Sequence, residues 1–525
     1  MAEKSADDIF KEFKEHSVTE FFRKNSQMLG YSGKVRSLTT IVHEYVTNSL
    51  DACEEAGIIP ELEIRVKEIA ENRYGVSVTD NGPGIPKTHV GKALASVLTG
   101  TKFHRYIQQR GQQGIGASGC TLLALITTGK GIQVRSSTGR EAFSCTVSVD
   151  IKSNKPVIAE METLKVDFKG LSVYGEFGEV KYERSDHGVY EYLLRTALAN
   201  PHAGIRLIEP DGNEVLFPRS VKALPQRPKE IKPHPLGITA TDLLDFARSS
   251  KSRKVSSFME EAFSRVSHEK TKEISAASGV DFEKEPQALT LEDAEKIAAA
   301  IKQLKWIAPD LDSLSEIGEE QIYASMKSLL APNFMAVVER KPKVFRGGIP
   351  FVVEVGIAYG GKAGRVGEKG AEGAVLRFAN KVPLLFDAGS CAISEAANGI
   401  EWRRYSIRKF EEEPVSVLVS MCSVYIPYSG VGKQAIAQDD EVVEEIKLSI
   451  MEAARKLQRH LSGVRQKSAR EGSLKTIMSY VPQLANDLGG ITGKDSKEIE
   501  SKLRSLVGKK YKVMEKAEAN PSSES

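Results

Sequence analysis

At 525 residues the chain has room for about three or four domains, and a hydrophobic content of 41% is ordinary for a globular protein. The net charge is only +3, so no whole-molecule basicity announces nucleic acid, and any such contact must come from local patches. Five cysteines (53, 120, 145, 391 and 422) are odd in number and lack CxxC spacing. They fit a reducing cytoplasm and neither a zinc site nor a disulfide framework. The charged start MAEKSADDIF and the lack of any run of about eighteen apolar residues argue against a signal peptide or a membrane span.

Residues 1–30 are polar, with Phe10, Phe13, Phe21 and Phe22 at near-helical spacing. The stretch VHEYVTNSLDA follows, in which Glu44, Asn48 and Asp51 stand at i, i+4 and i+7 and therefore share one helix face. Ile41, Val42, Tyr45, Val46 and Leu50 fall mostly on the opposite side. Glu44 is placed to accept a proton from an attacking water, and Asn48 to offer a neutral oxygen to Mg²⁺. Taken alone, the triple also reads as a solvated polar helix face.

Leu62–Val66 and Tyr74–Thr79 alternate as half-buried strands, and the second ends at Asp80 before the turn Asn81-Gly82-Pro83-Gly84. A carboxylate there can accept a hydrogen bond from an adenine amino group, while Gly82 and Gly84 permit close backbone approach. A plain tight turn is the alternative. Thr99–Arg110 carries Lys102, His104, Arg105 and Arg110 and reads as a mobile lid able to close over a triphosphate. Gly111, Gly114, Gly116 and Gly119 then lead into the apolar run Cys120–Ile126. Successive backbone N–H groups and a helix N-terminus in this order make an anion nest. The loop follows two other motifs rather than the first strand of a βαβ unit, which argues against a dinucleotide fingerprint.

Further strands are predicted at Ile132–Ser136, Phe143–Val149, Leu164–Asp167, Leu171–Phe177 and Ile205–Ile208, with a helix at Gly188–Ala199. Pro225, Pro228, Pro233 and Pro235 mark a linker. Helices follow at Ala240–Ser249, Val255–Ser267, Lys270–Ser278 and Leu291–Trp306, with a basic cluster at Lys251, Arg253 and Lys254. Asp310-Leu311-Asp312 spells DxD but lacks a preceding apolar strand, so it is rejected as a metal-dependent nuclease motif. Strands at Phe334–Arg340, Phe351–Tyr359, Val375–Ala379 and Val415–Tyr425 precede a long helix from about Asp440 to Leu461. Another helix is predicted at Lys497–Val507, before a disordered tail at 520–525.

The motifs EYVTNSLDA, DNGPG and GQQGIGAS together resemble the GHKL ATPases, the group of gyrase, MutL, Hsp-type chaperones and histidine kinases. GQQGIGAS preceded by Lys102, with IPYSGVGKQAIA at Ile426–Ala437, is closer still to the B subunits of type IIB topoisomerases, the topoisomerase VI family. The resemblance runs through essentially the whole chain.

It implies an α+β / α/β multidomain fold. A GHKL (Bergerat) ATP-binding α/β sandwich with an N-terminal strap would occupy 1–228, and a small helix-two-turns-helix domain 229–308. An α/β transducer with a long C-terminal helix would occupy 309–470, and a helical segment with its tail 471–525. The implied ligands are ATP and Mg²⁺. Adenine would lie on Asp80 with Gly82 and Gly84, Mg²⁺ on Asn48, and the phosphates on Gly111, Gln112, Gln113, Gly114, Ile115, Gly116, Ala117 and Ser118 beneath Thr101 and Lys102. Glu44 would be the base. Without the resemblance, Lys433 is an exposed loop lysine; with it, Lys433 becomes the sensor of the γ-phosphate. Trp402-Arg403-Arg404-Tyr405 resembles a WKxY element associated with DNA contact, although its aromatic residues suit strand packing equally well. The implied partners are a DNA-cleaving A subunit in a heterotetramer of two A and two B chains, a second B chain upon ATP binding, and double-stranded DNA, with no membrane. The expected activity is ATP-driven passage of one duplex through another, in the cytoplasm at the nucleoid. A mismatch-repair or chaperone-type clamp ATPase without strand passage is the alternative. A histidine kinase is disfavoured, since only His16 and His43 precede the nucleotide motifs. Intact Glu44, Asn48, Asp80 and Lys433 argue against a degraded B-like protein.

Overall fold

Alternation in the first two strands sets the architecture. In β1 (Glu61–Ala70) the side chains of Leu62, Ile64 and Val66 are buried, and in β2 (Arg73–Asp80) those of Tyr74, Val76, Val78 and finally Asp80. Both strands therefore present one apolar face, and Asp80 lies on that face as the last member of the series. Against it packs α1 (Lys34–Ala56), whose Ile41, Val42, Tyr45, Val46 and Leu50 are all buried. The computed structural model describes residues 30–96, 106–111, 116–150, 153, 155–309, 311, 313–367, 370–430 and 432–519.

The remaining elements of this first region are α2 (Val90–Ala95), α3 (Gly116–Thr128), β3 (Ile132–Ser137), β4 (Ala142–Asp150), β5 (Lys155–Thr163), β6 (Gly170–Gly178), α4 (Val189–Ala199), β7 (Gly204–Ile208) and β8 (Glu214–Phe217). Its eight strands are ordered β5-β4-β3-β6-β2-β1-β7-β8. Only the β1–β7 pairing is parallel. The helices α1, α3 and α4 contribute to one apolar core with this sheet, as expected of a sandwich with one helical layer.

Residues 164–167 are not a strand; the pairing partner of β4 is β5, at 155–163. β5 is an edge strand, starts with Pro156 in its second position and is mostly exposed. It thus has neither a buried face nor the alternation that would announce it. β8, the other edge, carries no stronger signal.

Four helices, α5 (Ala240–Ser249), α6 (Val255–Ala262), α7 (His268–Ser278) and α8 (Leu291–Gln303), enclose a separate small core around Leu243, Phe258, Phe263, Ile274 and Ile297. α5 and α8 each begin with a reciprocal Thr–Asp capping box, Thr239 with Asp242 and Thr290 with Asp293. Lys254 pairs with Glu283, so part of the basic cluster is neutralised within this layer.

Beyond it come α9 (Glu319–Leu330), β9 (Phe334–Glu339), β10 (Lys343–Phe345), β11 (Ile349–Tyr359), β12 (Arg365–Gly367), β13 (Gly370–Glu372), β14 (Ala374–Ala379), β15 (Val382–Pro383), α10 (Ala392–Asn398) and β16 (Val415–Ser423). The order β10-β11-β16-β14-β15, with β9 also on β11, makes a second sheet. β16 is buried along its whole length, which explains its unbroken apolar run. Leu198 and Ala199 of α4 share a core with Ile322 and Met326 of α9 and with Phe378 of β14.

All these elements, with residues 409–453, form one compact unit. Residues 402–408 and 454–525 form the other. The long helix α11 runs from Asp440 to Thr492, well past the expected end near Leu461. Beyond that point the apolar stripe fades, and the helix continues through Gly463, Gly472 and Pro482, residues that argue against it in sequence. α12 covers Ser496–Ala519. Trp402–Tyr405 is a short 3-10 helix and not a strand. Among the described residues no helix is long and apolar enough to cross a membrane.

Candidate nucleotide site

The adenine-reading carboxylate predicted at Asp80 is held from three directions. Ser49 Oγ of α1 donates to Oδ2 at 2.7 Å, while the backbone N–H groups of Gly82 and Leu171 donate to Oδ1 at 2.9 and 3.1 Å. Burial raises the pKa of Asp80, and these three donors oppose the rise. Asn81 is structural: its side chain accepts from Glu61 N at 2.9 Å and donates to Ile59 O at 3.0 Å, closing the turn after β2. Gly84 then adopts φ +72°.

Ser49 and the 170–172 strand end were not identified from the sequence as part of this site. A Cβ on Gly170 would sit 2.0 Å from the Asp80 carbonyl oxygen, so only glycine lets β6 approach closely enough for Leu171 to reach the carboxylate. Ser172 and Thr79 hydroxyls bond at 2.8 Å one step outward. The signal available in the sequence was the glycine preceding an alternating strand.

Glu44 and Asn48 emerge on the open side of α1, Glu44 partly exposed and Asn48 exposed. Across from Glu44 begins α3. A Cβ at Gly116 would lie 1.8 Å from Glu44 Oε2, so the carboxylate rests against the first residue of that helix. The first turn of a helix directs its backbone N–H groups outward and carries partial positive charge, an arrangement suited to phosphate. Ala117 and Ser118 follow, with Ser118 buried. Gly111 is described; Gln112, Gln113, Gly114 and Ile115 lie outside the described residues, as do Thr101, Lys102, His104, Arg105, the strap at 1–29, and Asp310 and Asp312.

Asp51, expected on the same open face, is buried, and Arg110, expected in a lid over the triphosphate, is buried with it. Arg110 donates to Asp51 at 2.8 Å, to both Glu54 oxygens at 2.9 and 2.6 Å, and to Asn200 Oδ1 at 2.5 Å. Burial opposes ionisation of Glu54, but Arg110 and the His202 hydrogen bond outweigh it and hold the carboxyl far below its usual range. A guanidinium with acceptors from three residues at hand is better satisfied here than over a solvated loop.

Lys433 is half-buried and has φ +51° in the loop between β16 and α11. Its charge is felt at α1: burial lowers the pKa of His43, Glu44 opposes this, and the Lys433 ammonium lowers it further. His43 Nε2 stands 4.0 Å from Glu44 Oε1. Glu44, the start of α3 and Lys433 thus belong to one neighbourhood. In the 402–405 turn, Arg403 and Arg404 are exposed, whereas Tyr405 is buried, so its ring is a packing element.

Residues 33–153 match the histidine kinase-, DNA gyrase B- and HSP90-like ATPase family, and residues 309–473 match the topoisomerase VI B subunit transducer. The B subunit of type 2 DNA topoisomerase 6 from Pyrococcus horikoshii is 43% identical, over 97% of this chain and 98% of that protein. The chain belongs to the topoisomerase VI B-subunit family. The same-named proteins of Methanothermobacter thermautotrophicus and Thermococcus gammatolerans show 45% and 42% identity, over 90% and 98% of this chain and 92% and 99% of theirs. Membership in this family makes the first region a GHKL ATP-binding domain and the second sheet part of a transducer.

Proposed function

We propose that this chain is the ATP-binding and hydrolysing B subunit of a type IIB DNA topoisomerase, driving passage of one duplex through a break made by a separate A subunit. What carries the reading is the match of nearly its full length to relatives of that name. The domain division it uses is 1–228, 229–308, 309–470 and 471–525.

In this reading Asp80 accepts a hydrogen bond from the adenine amino group, with Gly82 and Gly84 forming the close wall. The amides from Gly111 to Ser118 hold the phosphates, and Thr101 and Lys102 cover them. Asn48 offers its carboxamide oxygen to Mg²⁺, which would neutralise triphosphate charge; the side chain is exposed one turn from Glu44, as such a ligand requires. Glu44 takes the proton of the attacking water. Lys433 pairs with the γ-phosphate, an interaction that ADP cannot offer, so ATP shifts the population toward a closed state in which two B chains dimerise. In a heterotetramer of two A and two B chains that closure traps a duplex. Arg403 and Arg404 are exposed cations able to contact DNA phosphates. The setting is the cytoplasm, at the nucleoid.

The test is supercoil relaxation by this chain together with an A subunit, with and without ATP. ATP-dependent change of linking number in steps of two is expected. ATP hydrolysis with no relaxation would instead support a clamp ATPase.

A further inference from the structure

The hairpin joining β14 to β15 turns through Asn380 and Lys381, both with left-handed backbone, at φ +48° and +66°. Two-residue hairpin turns of this kind favour Asn-Gly, and a lysine in the second place costs conformational energy. Both residues are nonetheless buried, at 2% and 5% exposure. One polar group of each reaches into the ATP-binding domain, Asn380 Nδ2 to Gln109 and the Lys381 carbonyl to Asn200. Asn380 Nδ2 donates to Gln109 O at 3.1 Å and to Ser423 O at 2.9 Å, and its Oδ1 accepts from Ser423 N at 2.9 Å. The Lys381 carbonyl accepts from Asn200 Nδ2 at 3.1 Å, and its ammonium donates to Ser315 Oγ at 2.8 Å. Ser315 is in turn gripped by Gln108, which bonds both its N–H and its carbonyl at 2.7 Å.

Asn200 also accepts from Arg110, and Arg110 is clamped to Asp51 and Glu54. Those carboxylates continue the stripe of Glu44 and Asn48 along α1. A continuous set of hydrogen bonds therefore leads from the helix bearing the hydrolytic face to the second sheet. This path does not use the Lys433 loop.

We propose that the Asn380–Lys381 turn is a latch through which a shift of α1 on nucleotide binding is passed to β14 and β16 of the transducer. The latch rests on the nucleotide pocket assigned above. Its parts suit that role, because Arg110, Asn200 and Lys381 are all buried and linked in series, so none can move without its neighbours. Burial lowers the affinity of Lys381 for its proton, Glu54 raises it, and Arg110 lowers it again, so the three charges sense one another.

Hydrogen exchange of the full chain, with and without Mg²⁺ and a non-hydrolysable ATP analogue, tests this. In the unaltered protein the analogue should slow exchange in α1 and also in 374–383 and 415–423, the latter by a coupling of about 5–150-fold. Asn380→Gly, which tolerates the left-handed backbone but removes the Nδ2 donor to Gln109 O, should keep the slowing in α1 and lose most of it in the transducer strands. Asn200→Ser, which cuts the path from the other side with a smaller change, should do the same. Arg365→Gln, which breaks the exposed Arg365–Asp186 contact between the same two regions, should change neither. Undiminished transducer protection in both latch variants overturns the proposal, as does α1 protection without transducer protection in the unaltered chain. No slowing in α1 at all would overturn the pocket assignment instead.

Discussion

The Ser49 hydroxyl spans the gap between α1 and the end of β2 to hold Asp80 Oδ2 at 2.7 Å. Ser49→Ala leaves a buried carboxylate oxygen without that donor, at a cost of about 1–3 kcal/mol. The expected result is a KM for ATP raised roughly tenfold with kcat nearly unchanged, since adenine binding is equal in ground and transition states. Steady-state ATPase kinetics check it; an unchanged KM would remove Ser49 from the site.

Glu44→Ala should leave binding of a non-hydrolysable analogue intact while lowering turnover by about 10²–10⁴-fold. Calorimetric titration and phosphate release separate the two. Failure of this variant to bind nucleotide would show that Glu44 is not the base.

Gly116→Ala probes the same carboxylate from the opposite side. Its methyl group would fall 1.8 Å from Glu44 Oε2 and must displace it. Turnover should drop at least about tenfold, because a displaced base loses its alignment with water. Normal turnover would mean that Glu44 works from another rotamer.

Lys433→Ala should reduce the preference for ATP over ADP, because in the proposed site the ammonium would pair with the terminal phosphoryl group that ADP lacks. Competition binding of the two nucleotides measures the ratio. A ratio equal to that of the unaltered protein would return Lys433 to an ordinary loop cation.

Two buried carboxyls give opposite pH signatures. Glu354 of β11 is pushed up to about 7, chiefly by burial, with the N–H groups of Gly318 and Ile317 opposing. Its folded value exceeds the unfolded one of about 4.3, so its contribution is full below that pH and is lost as pH rises through about 7. Relative to Glu354→Gln, the unaltered chain should lose roughly 4 kcal/mol across that window, read as Tm against pH. Glu54 has a depressed folded value, so its contribution is in place above about pH 4.3 and is lost as pH falls further.

The local placement of the candidate residues was legible because it depends on neighbours in sequence. Glu44 and Asn48 are one turn apart and Asp80 ends an alternating strand, so periodicity placed them in the fold, while their proposed roles came from the resemblance. The donors that tune Asp80 were not legible, since Ser49 and Leu171 come from other elements and meet it only through tertiary packing. Arg110 was misread for the same reason. Its neighbours in sequence are polar, but its partners Glu54 and Asn200 lie 56 and 90 positions away. Edge strand β5 escaped because exposure on both faces erases alternation, and α11 outran its expected end because the apolar stripe fades near Leu461 and Gly463, Gly472 and Pro482 then read as breakers.

Asp80 shares the inward phase of β2 with Val76 and Val78. Sliding that strand by a single position would turn the carboxylate to the far side of the sheet and bring Thr79 inward in its place. In the proposed site, where Asp80 reads adenine, nucleotide selectivity is thereby tied to strand alignment: a sheet assembled out of step would present a hydroxyl where the base needs a carboxylate.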